Sequence, residues 1–382
     1  MKSRAAVLRG VGHSWEIEEI DVDPPKFGEL LVEWRAAGLC HSDEHLVTGD
    51  LLPPPELAEK WALADLYPIV GGHEGAGIVR EVGPGVMNLK VGDHVSASFI
   101  PSCGRCLSCV NGSQNLCDNG AGTLGGGMIT DGTHRHHLNG SPIPLMAKVG
   151  TFSQYACVSE MSVVRVEPGV PFECVALVSC GVTTGWGSAV RRAGVVPGDI
   201  VAVVGIGGVG INAVQGARMA GARFIVAIDP VEFKRAKAME FGATHTYISM
   251  DEAIPDVQKL SWGQMADKVI MTPGVMRGEL MAGAQALCKK NGTIVVTGGA
   301  PISQTESSVN LFDLTMMNKE IKGSIFGSLN PRADIPKLLS LYLDGQLMLD
   351  ELITRRYDLD SINDGYQDMR DGRNIRGVVT FE

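Results

Sequence analysis

Over the first 180 residues, apolar positions fall in short alternating or β-branched stretches. Glu29–Trp34, Gly77–Val82 and Asp93–Phe99 are such stretches, and Gly, Pro or Asp bounds them, the pattern of strands. From Asp199 the texture changes. Ile200–Val204 is an unbroken apolar run, a Gly-rich turn follows it, and Ile211–Ala220 reads as a helix before the next strand, Phe224–Ile228. That βαβ order predicts a parallel sheet. Strand-like segments recur at Lys268–Met271 and Thr293–Thr297; beyond about Phe326 come a helix over Ile335–Leu343 and a last strand, Gly377–Phe381. Leu52–Tyr67 opens with a run of prolines and continues in helix formers. Leu57, Trp61 and Ala64 share one face, so this is a surface helix or, alternatively, a lid.

A length of 382 residues, 45% hydrophobic, is enough for two cores at about 150 residues each. Forty-eight glycines and 5% aromatics suit an α/β chain with many tight turns. The net charge of −10 comes without any basic cluster, which argues against a nucleic-acid partner. Met1–Gly10 is too short and interrupted for a signal-peptide core. The longest apolar run, Ile200–Val214, carries four glycines, so no membrane span is expected. These features predict a soluble, cytoplasmic protein.

In that setting nine cysteines point to metal or catalysis before disulfides. Cys103, Cys106, Cys109 and Cys117 lie together in a Gly/Pro/Asn-rich loop. Four thiolates so close can enclose one zinc ion tetrahedrally with no open position, a structural site. An iron–sulfur cluster or free thiols are the alternatives that spacing leaves open. Cys40, His73 and Cys180 stand far apart, each on a turn of small residues: Gly38–His45, Gly71–Gly77 and Ser179–Gly181. Singly, such a cysteine is a small buried hydrophobe and such a histidine a hydrogen-bonded one. As a set they form a candidate metal site with one position open for water or an alcohol oxygen.

Gly205, Gly207 and Gly210, with Gly208 among them, make the G-x-G-x-x-G arrangement between a strand and a helix. The glycines permit a tight turn and let a pyrophosphate reach the helix N-terminus. Asp229 closes the second strand, 19 residues after Gly210. A carboxylate there binds a ribose 2′-hydroxyl and repels a 2′-phosphate, favouring NAD over NADP.

Together these motifs resemble the zinc-containing medium-chain alcohol dehydrogenases, over essentially the whole chain. The resemblance implies a GroES-like, β-rich catalytic domain, 1–181 plus 326–382, around a doubly wound Rossmann domain, 182–325. It implies two zinc ions per subunit: a catalytic one on Cys40, His73 and Cys180, and a structural one on Cys103, Cys106, Cys109 and Cys117. Two cysteines and one histidine are the established ligand set of alcohol dehydrogenase. Glu74 matches a carboxylate behind the metal and Asp43 one that orients the histidine ligand. Ser42 and His45 match the proton relay, and Phe99 a substrate-pocket aromatic. Thr184 matches a residue beside the nicotinamide, Lys234 a ribose contact and Arg376 a pyrophosphate contact; His41 stands where many members carry a pyrophosphate-binding Arg. The family also implies a homo-oligomer.

Phe99–Cys106, Gly181–Ser188, Ile211–Arg218, Asp229–Arg235 and Gly327–Pro336 resemble one subgroup, the actinobacterial nicotinoprotein alcohol dehydrogenases. These are assayed with a nitrosoaniline acceptor and linked to the redox carrier mycofactocin. Membership implies that NAD stays bound and an external carrier reoxidises it; ordinary exchange of NAD is the alternative. The loop Asp131–Thr151 is similar to that of the glutathione-linked formaldehyde branch, but Ala121 stands where that branch has an Arg. A non-catalytic nucleotide-binding relative is the remaining alternative. Elsewhere, Thr133–His137 is expected to be a solvated loop, Cys157, Cys174 and Cys288 buried small hydrophobes, and His94 part of a structural turn.

Overall fold

The computed structural model describes residues 1–53, 66–120, 124 and 126–381. The segment Leu57–Tyr67 lies outside these except for Leu66 and Tyr67, and Ala121 lies outside them as well. The chain divides into two compact units, Met1–Cys180 with Asn330–Glu382, and Gly181–Leu329.

The first unit is built on the strand Glu29–Gly38. Glu74–Val82 pairs antiparallel along one edge, with His94–Ala97 and Val163–Arg165 beyond it. The other edge is shared: Tyr155–Ser159 pairs with Glu29–Glu33, and Arg376–Thr380 pairs with Ala36–Gly38. A second sheet runs in the order Ile69–Val70, Lys2–Leu8, Glu16–Val22, His136–Leu138, Ser141–Pro142. Leu8, Ile20, Val32, Trp34 and Phe152 are buried in the core between these elements. The alternation read in Glu29–Trp34 thus marks a strand at the centre of the unit.

Thr133–His137 departs from the solvated loop expected of it. Arg135 and His136 are buried. The Arg135 guanidinium donates to Glu29 Oε2 at 2.7 Å, Glu29 Oε1 at 2.8 Å and Asp131 Oδ2 at 2.7 Å. Neutralised and hydrogen-bonded in this way, the arginine carries a polar turn inward. Cys157, Cys174 and Cys288 are buried.

The second unit holds six parallel strands in the order His245–Tyr247, Phe224–Ile228, Ile200–Val204, Ala266–Met271, Cys288–Val296, Glu320–Gly323. Numbered along the chain this is 3-2-1-4-5-6, the doubly wound order, which reverses at Ile200–Val204 and so opens a crevice at its carboxyl end. Ile200–Val204 is buried throughout, as its unbroken apolar run predicts. Among the described residues, no helix is long and apolar enough to cross a membrane.

Candidate metal and cofactor sites

Cys40 caps the helix His41–Thr48 just after the central strand ends. His73 projects from the Gly71–Gly72 turn before Glu74–Val82, and Cys180 from a widened π-type turn, Val178–Val182. Three segments remote in sequence bring Cys40 Sγ, Cys180 Sγ, a His73 ring nitrogen and a Glu74 carboxylate oxygen within 4.8 Å of one another. His73 Nε2 is buried with no hydrogen-bond partner among the described residues, while Nδ1 faces Asp43 Oδ2 at 2.8 Å. An imidazole fixed on one side by a carboxylate and bare on the other is how a metal ligand is held.

The electrostatics agree. The hydrogen bond with Cys180, helped by His73 and Arg376, holds Cys40 well below the usual thiol range. The same bond, with burial, pushes Cys180 well above it. Burial opposes the charge on His73, but Asp43 and Cys40 outweigh it and hold the ring well above its ordinary value. Burial pushes Glu74 up to about 7 against the pull of Arg376. Two sulfurs and an imidazole gathered in one buried pocket, beside a carboxylate, have the donor chemistry of a zinc site.

Arg376 is itself buried; it pairs with Glu74 and donates to the Leu39 carbonyl at 3.1 Å. Ser42 Oγ lies 3.7 Å from Cys40 Sγ. The Phe99 ring stands edge-on to His73 with centroids 5.5 Å apart. His41 and His45 follow on the same helix, ring centroids 6.3 Å apart.

The four clustered cysteines also converge. Cys103 and Cys109 Sγ are 3.9 Å apart, as are Cys106 and Cys117 Sγ. A tetrahedron with arms of about 2.3 Å has edges of about 3.8 Å, so the space fits a single ion and is too small for a multi-iron cluster. Amides of Arg105 and Cys106 donate to Cys103 Sγ at 3.5 and 3.3 Å, and those of Cys109 and Asp118 to Cys106 Sγ at 3.5 and 3.3 Å. Burial pushes Cys103 up, yet these amides bring its thiol down to about 7.

In the second unit, a Cβ on Gly205 would lie 2.6 Å from Pro273 N, and one on Gly210 would lie 1.9 Å from Gly205 O. Those two glycines are required by the turn. A Cβ on Gly207 would meet nothing within 4 Å, which leaves open room of the kind a pyrophosphate would need. The Gly208 carbonyl accepts from Asn212 Nδ2 at 2.8 Å. Asp229 is buried, its Oδ2 accepting from Ile206 N at 2.8 Å and its Oδ1 from Val231 N at 2.9 Å. Lys234 is partly exposed on the following helix, Glu232–Glu240, and Thr184 is buried on Thr183–Gly187. Thr272, which the motif does not include, donates to Gly205 O at 2.7 Å and secures the turn.

Such a fold with such donor sets belongs to the zinc-binding dehydrogenases, and comparison bears this out. Residues 26–168 match the alcohol dehydrogenase GroES-like domain family and residues 208–344 the zinc-binding dehydrogenase family. The chain is 50% identical to the NDMA-dependent alcohol dehydrogenase of Amycolatopsis methanolica, covering 99% of each chain. It is 49% identical to alcohol dehydrogenase B of Mycobacterium tuberculosis, covering 100% of this chain and 99% of that one. The crystal structure of benzyl alcohol dehydrogenase from Acinetobacter calcoaceticus superposes with a TM-score of 0.89 at 28% identity, covering 100% of both. The chain belongs to the zinc-binding alcohol dehydrogenase family and is an oxidoreductase.

Proposed function

We propose that this enzyme oxidises small alcohols to aldehydes or ketones and keeps its NAD bound through turnover, an external carrier of the mycofactocin type taking the electrons. The observation that carries the chemistry is the convergence of Cys40, His73 and Cys180 from three separate turns, with Asp43 behind the histidine. Similarity to an NDMA-dependent relative at 50% identity supports the retained cofactor.

Zinc at this set would supply acidification of the alcohol hydroxyl, and NAD would supply the hydride acceptor. Cys40, His73 and Cys180 would hold the metal; Asp43 fixes the His73 tautomer; Glu74 and Arg376 supply a compensated charge pair beside it. Ser42 and His45 take the hydroxyl proton outward, and Phe99 gives the substrate an apolar wall. We assign the zinc chemistry to 1–181 with 326–382 and the dinucleotide to 182–325. There Gly205, Gly207, Gly208 and Gly210 admit the pyrophosphate. Asp229 and Lys234 would bind the adenosine ribose and Thr184 would border the nicotinamide, with His41 and Arg376 in the role of phosphate contacts. Cys103, Cys106, Cys109 and Cys117 hold a second, structural zinc. Leu311, Phe312 and Met316 are exposed on the helix that precedes the edge strand Glu320–Gly323 in sequence, which supports assembly into a homo-oligomer; we place the enzyme in the cytoplasm.

The test is the NAD(H) released by heat from exhaustively desalted protein, alongside its zinc content. About one equivalent of nucleotide and about two of zinc per subunit are expected. Release of no nucleotide would mean that the enzyme exchanges NAD at each turnover.

A further inference from the structure

The helix His41–Thr48 ends at Gly49, whose φ of +82° turns the chain back on itself. A Cβ at this glycine would also press on Val11 at 3.2 Å. The reversal returns Asp50 to the last helical turn, where its Oδ2 lies 2.9 Å from His45 Nδ1 and accepts from Thr48 Oγ1 at 2.6 Å. The His45 side chain is 7% exposed and that of Asp50 24% exposed, so the carboxylate is the more solvent-facing of the two.

An ionised carboxylate can only accept, so the nitrogen facing it carries the hydrogen. That leaves Nε2 with its lone pair free to act as base. From this geometry we propose that Asp50, buttressed by Thr48, is a positioning residue for proton transfer. It fixes His45 in the Nδ1–H tautomer and stabilises the imidazolium formed when Nε2 takes a proton. The inference rests on the relay role given to His45 above. A proton arriving at Nε2 converts the neutral ring to imidazolium, and release of one proton to water restores it; no bond to carbon changes and no electrons move at this step. Further charged or titratable groups lie on this helix. The His41 ring is tilted 57° to that of His45, and Glu44 accepts from Arg370 at 2.9 and 3.2 Å.

The test uses the full-length, zinc- and NAD-loaded enzyme. Long-range 1H–15N spectra of 15N-histidine protein should show His45 as the Nδ1–H tautomer in the wild type and a mixture in Asp50→Ala. Asp50→Asn keeps an acceptor oxygen and should recover part of the signature. In single-turnover reduction of bound NAD by alcohol, His45→Gln should slow the step by roughly 100-fold and Asp50→Ala by roughly tenfold, with KM little changed. The double variant should be no slower than His45→Gln alone, because Asp50 acts only through His45. A His45→Gln enzyme as fast as wild type would remove the relay reading itself. A slow His45→Gln beside an Asp50→Ala of wild-type rate and tautomer, or losses that simply multiply, would overturn the role of Asp50 alone. Should Asp50→Ala fail to fold, Thr48→Val, which keeps the carboxylate, should still loosen the tautomer in the same spectra; an unchanged spectrum there counts against the proposal.

Discussion

Asp43 Oδ2 sits 2.8 Å from His73 Nδ1, with both side chains almost wholly buried, and the other Asp43 oxygen accepts from Gly72 N at 2.9 Å. One carboxylate therefore fixes both the His73 ring and the turn that carries it. Asp43→Asn keeps the shape but can present an N–H to Nδ1, which would put the hydrogen on Nε2, the nitrogen needed for metal. We expect zinc affinity at this site to fall by about 10- to 100-fold, with the structural zinc retained. Competition against a chromogenic chelator measures it, and two zinc ions held as tightly as in the wild type would contradict the arrangement.

The clustered cysteines give a different expectation. Cys103 Sγ accepts two backbone amides and lies 3.9 Å from Cys109 Sγ, in a loop whose neighbours Leu107, Val110 and Leu116 are exposed rather than packed. A lobe packed this little would depend on a bound ion for order. Cys103→Ser should cost a few kcal/mol, lowering the melting temperature by roughly 5–10 °C, with activity lost only as a consequence. Retention of both metals and full thermal stability would sink the structural assignment.

These two sites also show what was legible beforehand. The Cys103–Cys117 cluster could be read because all its ligands lie within one loop. Ile200–Val204 and Phe224–Ile228 could be read because buried parallel strands write themselves as apolar runs. Cys40, His73 and Cys180 were readable only as a set, since no local pattern links them. Partnerships across long separations left no trace: Arg376 with Glu74, 302 residues apart, and Arg135 with Glu29, 106 apart. The composition of Thr133–His137 suggested solvent because a burying partner cannot be seen in the residues it serves. Asp50 carried only a weak signal, a Gly-Asp pair after a helix, which marks a cap and not a chemical role.

Asp229 has a structural role beside the cofactor role proposed for it. Its oxygens accept from Ile206 N and Val231 N, so the carboxylate that would meet the ribose also organises the glycine turn. Asp229→Ala should therefore narrow the preference for NAD over NADP. It should also destabilise the second unit by about 1–3 kcal/mol, because the Ile206 amide is left without its acceptor. Affinities for both cofactors in reconstituted protein, together with a denaturation curve, separate the two effects. An unchanged ratio of affinities would mean that the carboxylate does not read the 2′-position.

His136 gives a pH dependence whose sign can be worked out. The ring is buried, and its Nε2 accepts from Cys157 N at 3.0 Å, a bond that only the neutral form can accept. Burial, with the nearby His137, pulls it down to about 3 from an ordinary value of 6.5. Between those values the unfolded chain binds a proton that the folded chain does not. The contribution is intact above about pH 6.5 and is lost progressively as the pH falls below it, at up to about 1.4 kcal/mol per pH unit. His136→Gln offers Oε1 to the same amide without titrating, so its stability should fall less steeply on acidification. Urea denaturation of both proteins between about pH 5 and pH 7 reads the difference in slope directly. Equal slopes would mean that His136 is reached by protons in the folded state and that the strand His136–Leu138 opens before the unit unfolds.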